Sequence, residues 1–154
     1  MRNITTWLAA IAAIVLMTAC NQRRVYDSYL PTPLSGWEKN DTLTFITAPM
    51  DTTGVYATTL GLRTNSAYPF TAITLIVEQR AMPAGTLRID TLNCQLTDER
   101  GTPTGKGTNY YQYEFPVGKM TLHAGDSLHI NVRHDMKREI LPGIANVGIC
   151  IERR

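Results

Sequence analysis

No run of apolar residues in this 154-residue sequence is long enough to cross a bilayer as a helix. Such a span needs roughly 20 residues, whereas the longest uncharged apolar stretch runs from Leu8 to Met17, preceded by Trp7. Charge of one sign is lacking too: beyond Arg2, fourteen lysines and arginines face thirteen aspartates and glutamates, interspersed along the chain. That balance argues against nucleic acid, which requires a clustered basic face. Cysteine is scarce, at three residues, so no disulfide framework substitutes for a core. A chain of this length does not need one, because a single domain of this size buries enough surface to be stable unaided. Helical periodicity is missing after residue 20, apart from one suggested turn around Met136 to Leu141. There is no internal repeat and no low-complexity tract.

Catalytic signatures are missing as well. No G-x-S-x-G or H-E-x-x-H occurs, and the four serines after residue 20 (Ser28, Ser35, Ser66, Ser127) fall in turns or in the segment before the first strand. Gly101 to Gly107 holds a Gly-Lys pair, but the glycine spacing is too short for a phosphate loop. Gly107 takes the hydroxyl position, and the segment leads into the strand-like NYYQYEF instead of a helix. His123, His129 and His134 lie within twelve residues, yet no thiolate or carboxylate stands at ligand spacing beside them. Solvated imidazoles are expected, with no metal and no cofactor. No pair of carboxylates is singled out for hydrolysis, so an enzyme is not expected.

What is present begins at the N-terminus. Arg2, the apolar stretch Leu8–Met17 and the small residues before Cys20 form a signal peptide over residues 1–19. Leu16-Met17-Thr18-Ala19-Cys20 resembles a bacterial lipobox, which implies cleavage before Cys20 and diacylation of the cysteine, through a thioether at its sulfur, with chains such as palmitate. The alternative is a secreted protein in which Cys20 is incidental. Two or three acyl chains hold a protein stably at a membrane, where one does not. With Cys20 acylated, Cys94 and Cys150 remain; their alternation phases put them on opposite faces, so two unbonded buried thiols are favoured over a bridge.

Residues 20–41, punctuated by Pro31, Pro33 and Gly36, read as a lipidated tether and loop. Residues 42–154 read as one domain, with strand patterns at 42–47, 55–63, 72–80, 86–96, 109–115, 127–133 and 146–152. Leu128, Ile130 and Val132 alternate cleanly with His129, Asn131 and Arg133, as in a half-buried strand. The apolar phase shifts between Ile89 and Leu92, suggesting a bulge near Thr91. Seven to eight strands separated by Gly and Pro turns predict an all-β antiparallel sandwich. Trp37, Tyr68, Phe70, Tyr110, Tyr111, Tyr113 and Phe115 flank strand starts and turns. They cap the open ends of the core or form a binding patch for a glycan or a protein.

A series of short pieces then carries a likeness. Arg24-Val25-Tyr26-Asp27 follows the lipobox, then come Gly36-Trp37, Asp41-Thr42-Leu43 with Phe45, and Arg63, Asn65 and Tyr68-Pro69-Phe70. Asp90-Thr91-Leu92, Asp98, Arg100-Gly101, Gly105, Gly107, Tyr113-Glu114 and Pro116 follow. Met136-Lys137, Glu139, Leu141, Gly143-Ile144 and Asn146-Val147-Gly148 complete the series. In this order the chain resembles the GldH gliding-motility lipoproteins of the Bacteroidetes. The resemblance implies a lipid-anchored envelope protein that works beside a motility or secretion machine, with no catalytic residue.

The expectation is therefore a non-enzymatic accessory lipoprotein that binds another envelope protein, with carbohydrate binding as the alternative. Asn, Gln, Arg and Arg after Cys20 lack an acidic export cluster, which places it on the outer membrane facing the periplasm. The Asp-Thr and Asp-Ser pairs, as at Asp90-Thr91, resemble O-glycan acceptors or simply start strands. Arg133 to Gly148 interrupts the β pattern and mixes charge with apolar residues. Together with Trp37, its Met136, Lys137, Arg138, Glu139 and Leu141 are the expected partner-contact residues, unless the apolar ones fold back over the sandwich end.

Overall fold

The computed structural model describes residues 23–154, so the signal peptide and Cys20 lie outside the described residues. Ten strands follow one another: β1 (Arg24–Pro31), β2 (Trp37–Glu38), β3 (Leu43–Ile46), β4 (Gly54–Asn65) and β5 (Ala72–Met82), then β6 (Leu87–Gln95), β7 (Tyr110–Leu122), β8 (Ser127–His134), β9 (Ile140–Leu141) and β10 (Ile144–Arg153). Two four-stranded antiparallel sheets, ordered β1-β10-β4-β7 and β3-β8-β5-β6, face each other across one core. The two-residue pair β2-β9 sits apart from both. This is the predicted sandwich, and alternation is its cause. Tyr56, Leu60 and Leu62 of β4 and Val147, Ile149 and Ile151 of β10 point inward from one sheet. Ile73, Leu75 and Val77 of β5 and Leu128, Ile130 and Val132 of β8 meet them from the other. A buried polar bridge joins the sheets directly, the Thr58 hydroxyl donating to Gln79 Oε1 at 2.7 Å.

Residues 24–31 are not tether. β1 pairs with β10 from Arg24 opposite Glu152 to Pro31 opposite Asn146, placing Tyr26, Ser28 and Leu30 inward. Ser28 in the middle of that inward row, with Pro31 at its end, hides the alternation. The edge strand is clasped by Tyr29, whose ring lies on the bare backbones of Gly61 and Gly148, across two neighbouring strands. Its hydroxyl accepts from Gln112 Nε2 at 2.6 Å, and the Arg63 guanidinium stands 4.4 Å above the ring centroid. A Cβ at Gly61 would collide with the Tyr29 hydroxyl. Gly61→Ala should therefore cost about 2 kcal/mol in urea unfolding by expelling the ring. In a Tyr29→Ala background the same change should cost little, a coupling that a double-mutant cycle reads directly.

The bulge expected near Thr91 is absent, since β6 pairs with β5 without a break from Leu87 opposite Arg80 to Gln95 opposite Ala72. Leu87 and Ile89 instead face outward, and their neighbours Arg88 and Asp90 turn toward the other sheet. There they ion-pair at 2.6 Å, and Arg88 donates to the carbonyl of Lys119 on β7 at 3.0 Å. What reads as a phase shift is an ion pair within β6, whose arginine ties that strand to the other sheet. The register irregularity in this region of the molecule lies in β7, opposite Thr58 and Thr59. β7 also runs past the predicted 115, because it is an edge strand and tolerates Pro116, which has no N–H to donate. No helical turn forms at Met136–Leu141; bends lead into β9.

The connections divide unevenly between the two ends. Three, residues 47–53, 83–86 and 123–126, lie at the end where β1 begins. At the other end lie the stretch between β1 and β3, the β4–β5 and β6–β7 connections (66–71 and 96–109), and the stretch between β8 and β10.

Candidate functional site

The end with four connections collects the expected site residues, and it does so in layers. Trp37 is 0% exposed and forms the floor. Its indole N–H donates to the carbonyl of Asp41 at 2.8 Å, and its ring meets His134 edge-on at 5.2 Å. Leu141, its partner in the β2–β9 pair, is also completely buried. These two residues offer no surface to a partner or a sugar; the sequence expectation for them is corrected. Met136 is half-buried against the core, its sulfur accepting from the Thr74 N–H at 3.3 Å. Met136 and Leu141 thus fold back over the sandwich end, driven by the area they remove from water.

Lys137, Arg138 and Glu139 remain exposed above that floor, without an ion-pair partner among the described residues. Ile140 is 45% exposed beside them, and Leu34 projects fully into solvent from the turn closed by the Gly36 N–H on the Pro33 carbonyl at 3.0 Å. Gly36 lies against the Ile140 side chain, which leaves no room for a Cβ, and its φ of 114° is open to glycine alone.

The loop continues without a gap into a cleft. Gly143 packs on the backbone of Tyr68, and its carbonyl accepts from the Asn65 N–H at 2.9 Å. Beyond it Tyr68, Phe70, Tyr111 and Tyr113 wall a cleft of about 320 Å³, floored by Leu96 and Thr97. Tyr68 and Phe70 stand edge to face at 5.7 Å. Tyr68 is fixed by its hydroxyl on the Ala72 carbonyl, and Tyr113 by its own on the Leu96 carbonyl, both at 2.8 Å. Thr97 Oγ1 is buried and lacks a hydrogen-bond partner among the described residues. Asn65, Tyr68, Phe70, Gly101 and Tyr113 of this lining belong to the pieces that carry the family likeness. Thr97 belongs to none, and no spacing rule singles it out.

The histidines divide. His123 is exposed beside Asp126, and His129 lies on an outer sheet face. His134 corrects the expectation of solvated imidazoles, for it is completely buried at the end of β8. Its Nε2 lies 3.1 Å from the Trp37 carbonyl, which only accepts, so Nε2 carries the hydrogen. Nδ1 then receives the Met136 N–H at 3.4 Å. Burial lowers its pKa below the ordinary value; Lys39 acts in the same direction, against the raising effects of the Trp37 carbonyl and Asp135. A group whose folded pKa is depressed in this way favours the folded state when neutral. Stability should hold above about pH 6.5 and fall as the pH drops below it, because the unfolded chain takes up the proton first. A series of urea titrations from pH 7.5 to 5 should show this slope, and His134→Gln should flatten it.

The thiols are unbonded. Cys94 sits in the core with its pKa pushed up to about 12 by burial. Cys150 is only half-buried, on the outer face of the opposite sheet, and so is less enclosed than expected. Among the described residues, no three His, Cys, Asp or Glu side chains gather in a metal-binding group. No helix there is long and apolar enough to cross a membrane.

The fold and this end define a class: a β-sandwich domain in which four connections form an apolar, charged and aromatic end surface. The chain belongs to the GldH lipoprotein family, whose model matches residues 24–151. It is 32% identical over 155 residues to the gliding motility lipoprotein GldH of Flavobacterium johnsoniae, covering 94% of each chain. It is 28% identical over 163 residues to a GldH homolog of Christiangramia forsetii, covering 99% of this chain and 98% of the relative. Solved structures match at a distance. A family GH115 4-O-methyl-alpha-glucuronidase aligns over 88% of this chain and 18% of its own, at 9% identity and a TM-score of 0.46, too remote to carry a function across.

Proposed function

We propose that this protein is a non-enzymatic accessory lipoprotein of the cell envelope, held by acyl chains on Cys20, that docks another envelope protein through its loop end. The observation that carries the reading is the pairing there of exposed Leu34 and Ile140 with Lys137 and Arg138, which the fold itself does not use. Family membership supports the anchor and the association with gliding-type machinery. The uncharged and basic residues after Cys20 support an outer-membrane site facing the periplasm.

Affinity capture from detergent-solubilised membranes should recover one protein in stoichiometric amount with the wild-type chain. Recovery of none would end the reading. Cys20→Ala should abolish acyl-label incorporation and leave an uncleaved or mislocalised precursor, because the Cys20 thiol is the proposed attachment. Acyl label on the variant would refute that assignment.

A second reading rests on the cleft. Aromatic walls, abundant hydroxyls and the unpartnered Thr97 Oγ1 suit a neutral carbohydrate better than a charged ligand. A glycan binder would recover no stoichiometric protein, and Tyr111→Ala would weaken oligosaccharide binding in calorimetry.

A further inference from the structure

The two arginine pairs lie far apart in sequence, yet the fold brings them to one corner. Arg24 stands opposite Glu152 in the β1–β10 ladder, and the Arg153 N–H donates to the Arg23 carbonyl at 2.7 Å. The Arg154 N–H donates to the Val55 carbonyl at 2.9 Å, drawing the last pair against the start of β4. Four guanidinium groups thus stand near three carboxylates, Asp27, Glu152 and, across a cleft from Arg24, Glu114. Arg24 bonds Asp27 at 2.9 Å and approaches Glu152 at 3.7 Å, while Arg154 reaches Glu152 at 3.9 Å. Arg23 and Arg153 make no ion pair among the described residues, so the corner has a surplus of positive charge.

Apolar side chains stand within the same corner. Val25 occupies the irregularity between Arg24 and Tyr26 and is 45% exposed, and Val55 is exposed beneath Arg154. Arginines around small exposed apolar groups are the composition of a surface that meets lipid headgroups, where the cations bind phosphate and the apolar groups enter the boundary.

The chain itself names the occupant. Cys20 precedes Arg23 by three residues, so the attachment point lies within about 10 Å of contour of this corner. We infer that the Arg23, Arg24, Arg153 and Arg154 corner, with Val25 and Val55, is a lipid-docking face that binds the anionic headgroups of the leaflet holding the acyl chains. This rests on the acylation of Cys20. It fixes an orientation that acyl chains alone do not, with the strands rising from the membrane and the loop end turned away from it. β4, with twelve residues, separates the two ends by roughly 40 Å.

The test uses the acylated protein purified from membranes and reconstituted in vesicles of phosphatidylcholine alone or with about one-third phosphatidylglycerol. Amide exchange at residues 23–25, 54–55 and 123–126 should slow severalfold on the anionic vesicles, each arginine near such a surface contributing up to about a factor of five. Exchange at residues 32–36 and 96–109 should be the same on both. The triple variant Arg23→Glu, Arg153→Glu, Arg154→Glu should lose the difference while remaining in the vesicle fraction. Equal exchange on both vesicles, or a variant that keeps the wild-type difference, overturns the docking face. The intact mass of the same sample reports acylation separately. An unacylated mass overturns the anchor and the docking face with it, whereas an acylated protein with equal exchange overturns the docking face alone.

Discussion

Replacing Trp37 by alanine is expected to remove about 4 kcal/mol of stability, the upper part of the range for a buried aromatic side chain. The indole is completely enclosed, and three interactions end with it. It loses its packing against the core, its hydrogen bond to the Asp41 carbonyl and its edge contact with His134. It also stands where the β2–β9 pair joins two long connections across the end of the sandwich. A hole there would free both connections to move, so the loss should exceed the transfer free energy of the ring alone. Trp37→Phe keeps most of the volume and should cost less than half as much. Urea unfolding of both variants decides it: equal losses would mean that the ring volume phenylalanine keeps contributes nothing and that the indole's N–H and shape carry the whole effect.

Reversal of charge at Lys137 and Arg138 is expected to do the opposite, abolishing partner capture while leaving the unfolding midpoint nearly unchanged. Both side chains are exposed and contribute no ion pair to the fold among the described residues, so their replacement by glutamate takes little from stability. Across an interface the same change places like charges together, which costs several kcal/mol and defeats docking. Leu141→Ala is the counterpart. It should lower stability by about 3 kcal/mol, because the side chain is fully buried, yet leave capture intact at temperatures where the protein stays folded. A double charge-reversal variant that still recovers the partner at wild-type level would remove this loop from the interface.

Strands whose inward positions are all apolar and whose outward positions are polar were readable from the sequence. Leu128, Ile130 and Val132 needed only the period of two, and the facing pattern of β5 and β10 followed. β1 was not readable, because an edge strand buries less, and Ser28 stands where an apolar residue would have revealed it. Arg88 and Asp90 misled for the reverse reason. Charged residues took the inward positions of β6 because they satisfy each other and the Lys119 carbonyl, a partner that sequence cannot supply. At the loop end, the family likeness drew attention to Trp37, Met136 and Leu141, which the fold brings to one end of the sandwich. That likeness could not say that these residues lie beneath the surface, since burial there depends on the β2–β9 pair, two residues long and without a pattern of its own. The aromatics of the cleft were visible as a group, but Thr97 was not, being defined only by the partner it lacks.

The clasp on β1 has a mechanical meaning for an anchored protein. If Cys20 holds the acyl chains, as proposed, a pull exerted at the loop end and resisted there is transmitted into the domain through β1, along its axis. Its hydrogen bonds to β10 run across that axis, from Arg24 to Pro31, so they are loaded side by side and must yield together, not one after another from an end. Tyr29 adds a crosswise strut, spanning Gly148 and Gly61 to reach Gln112 on the far edge strand. Tension on the anchor is thereby spread through β10 and β4 to β7, and the sheet resists shear as a unit.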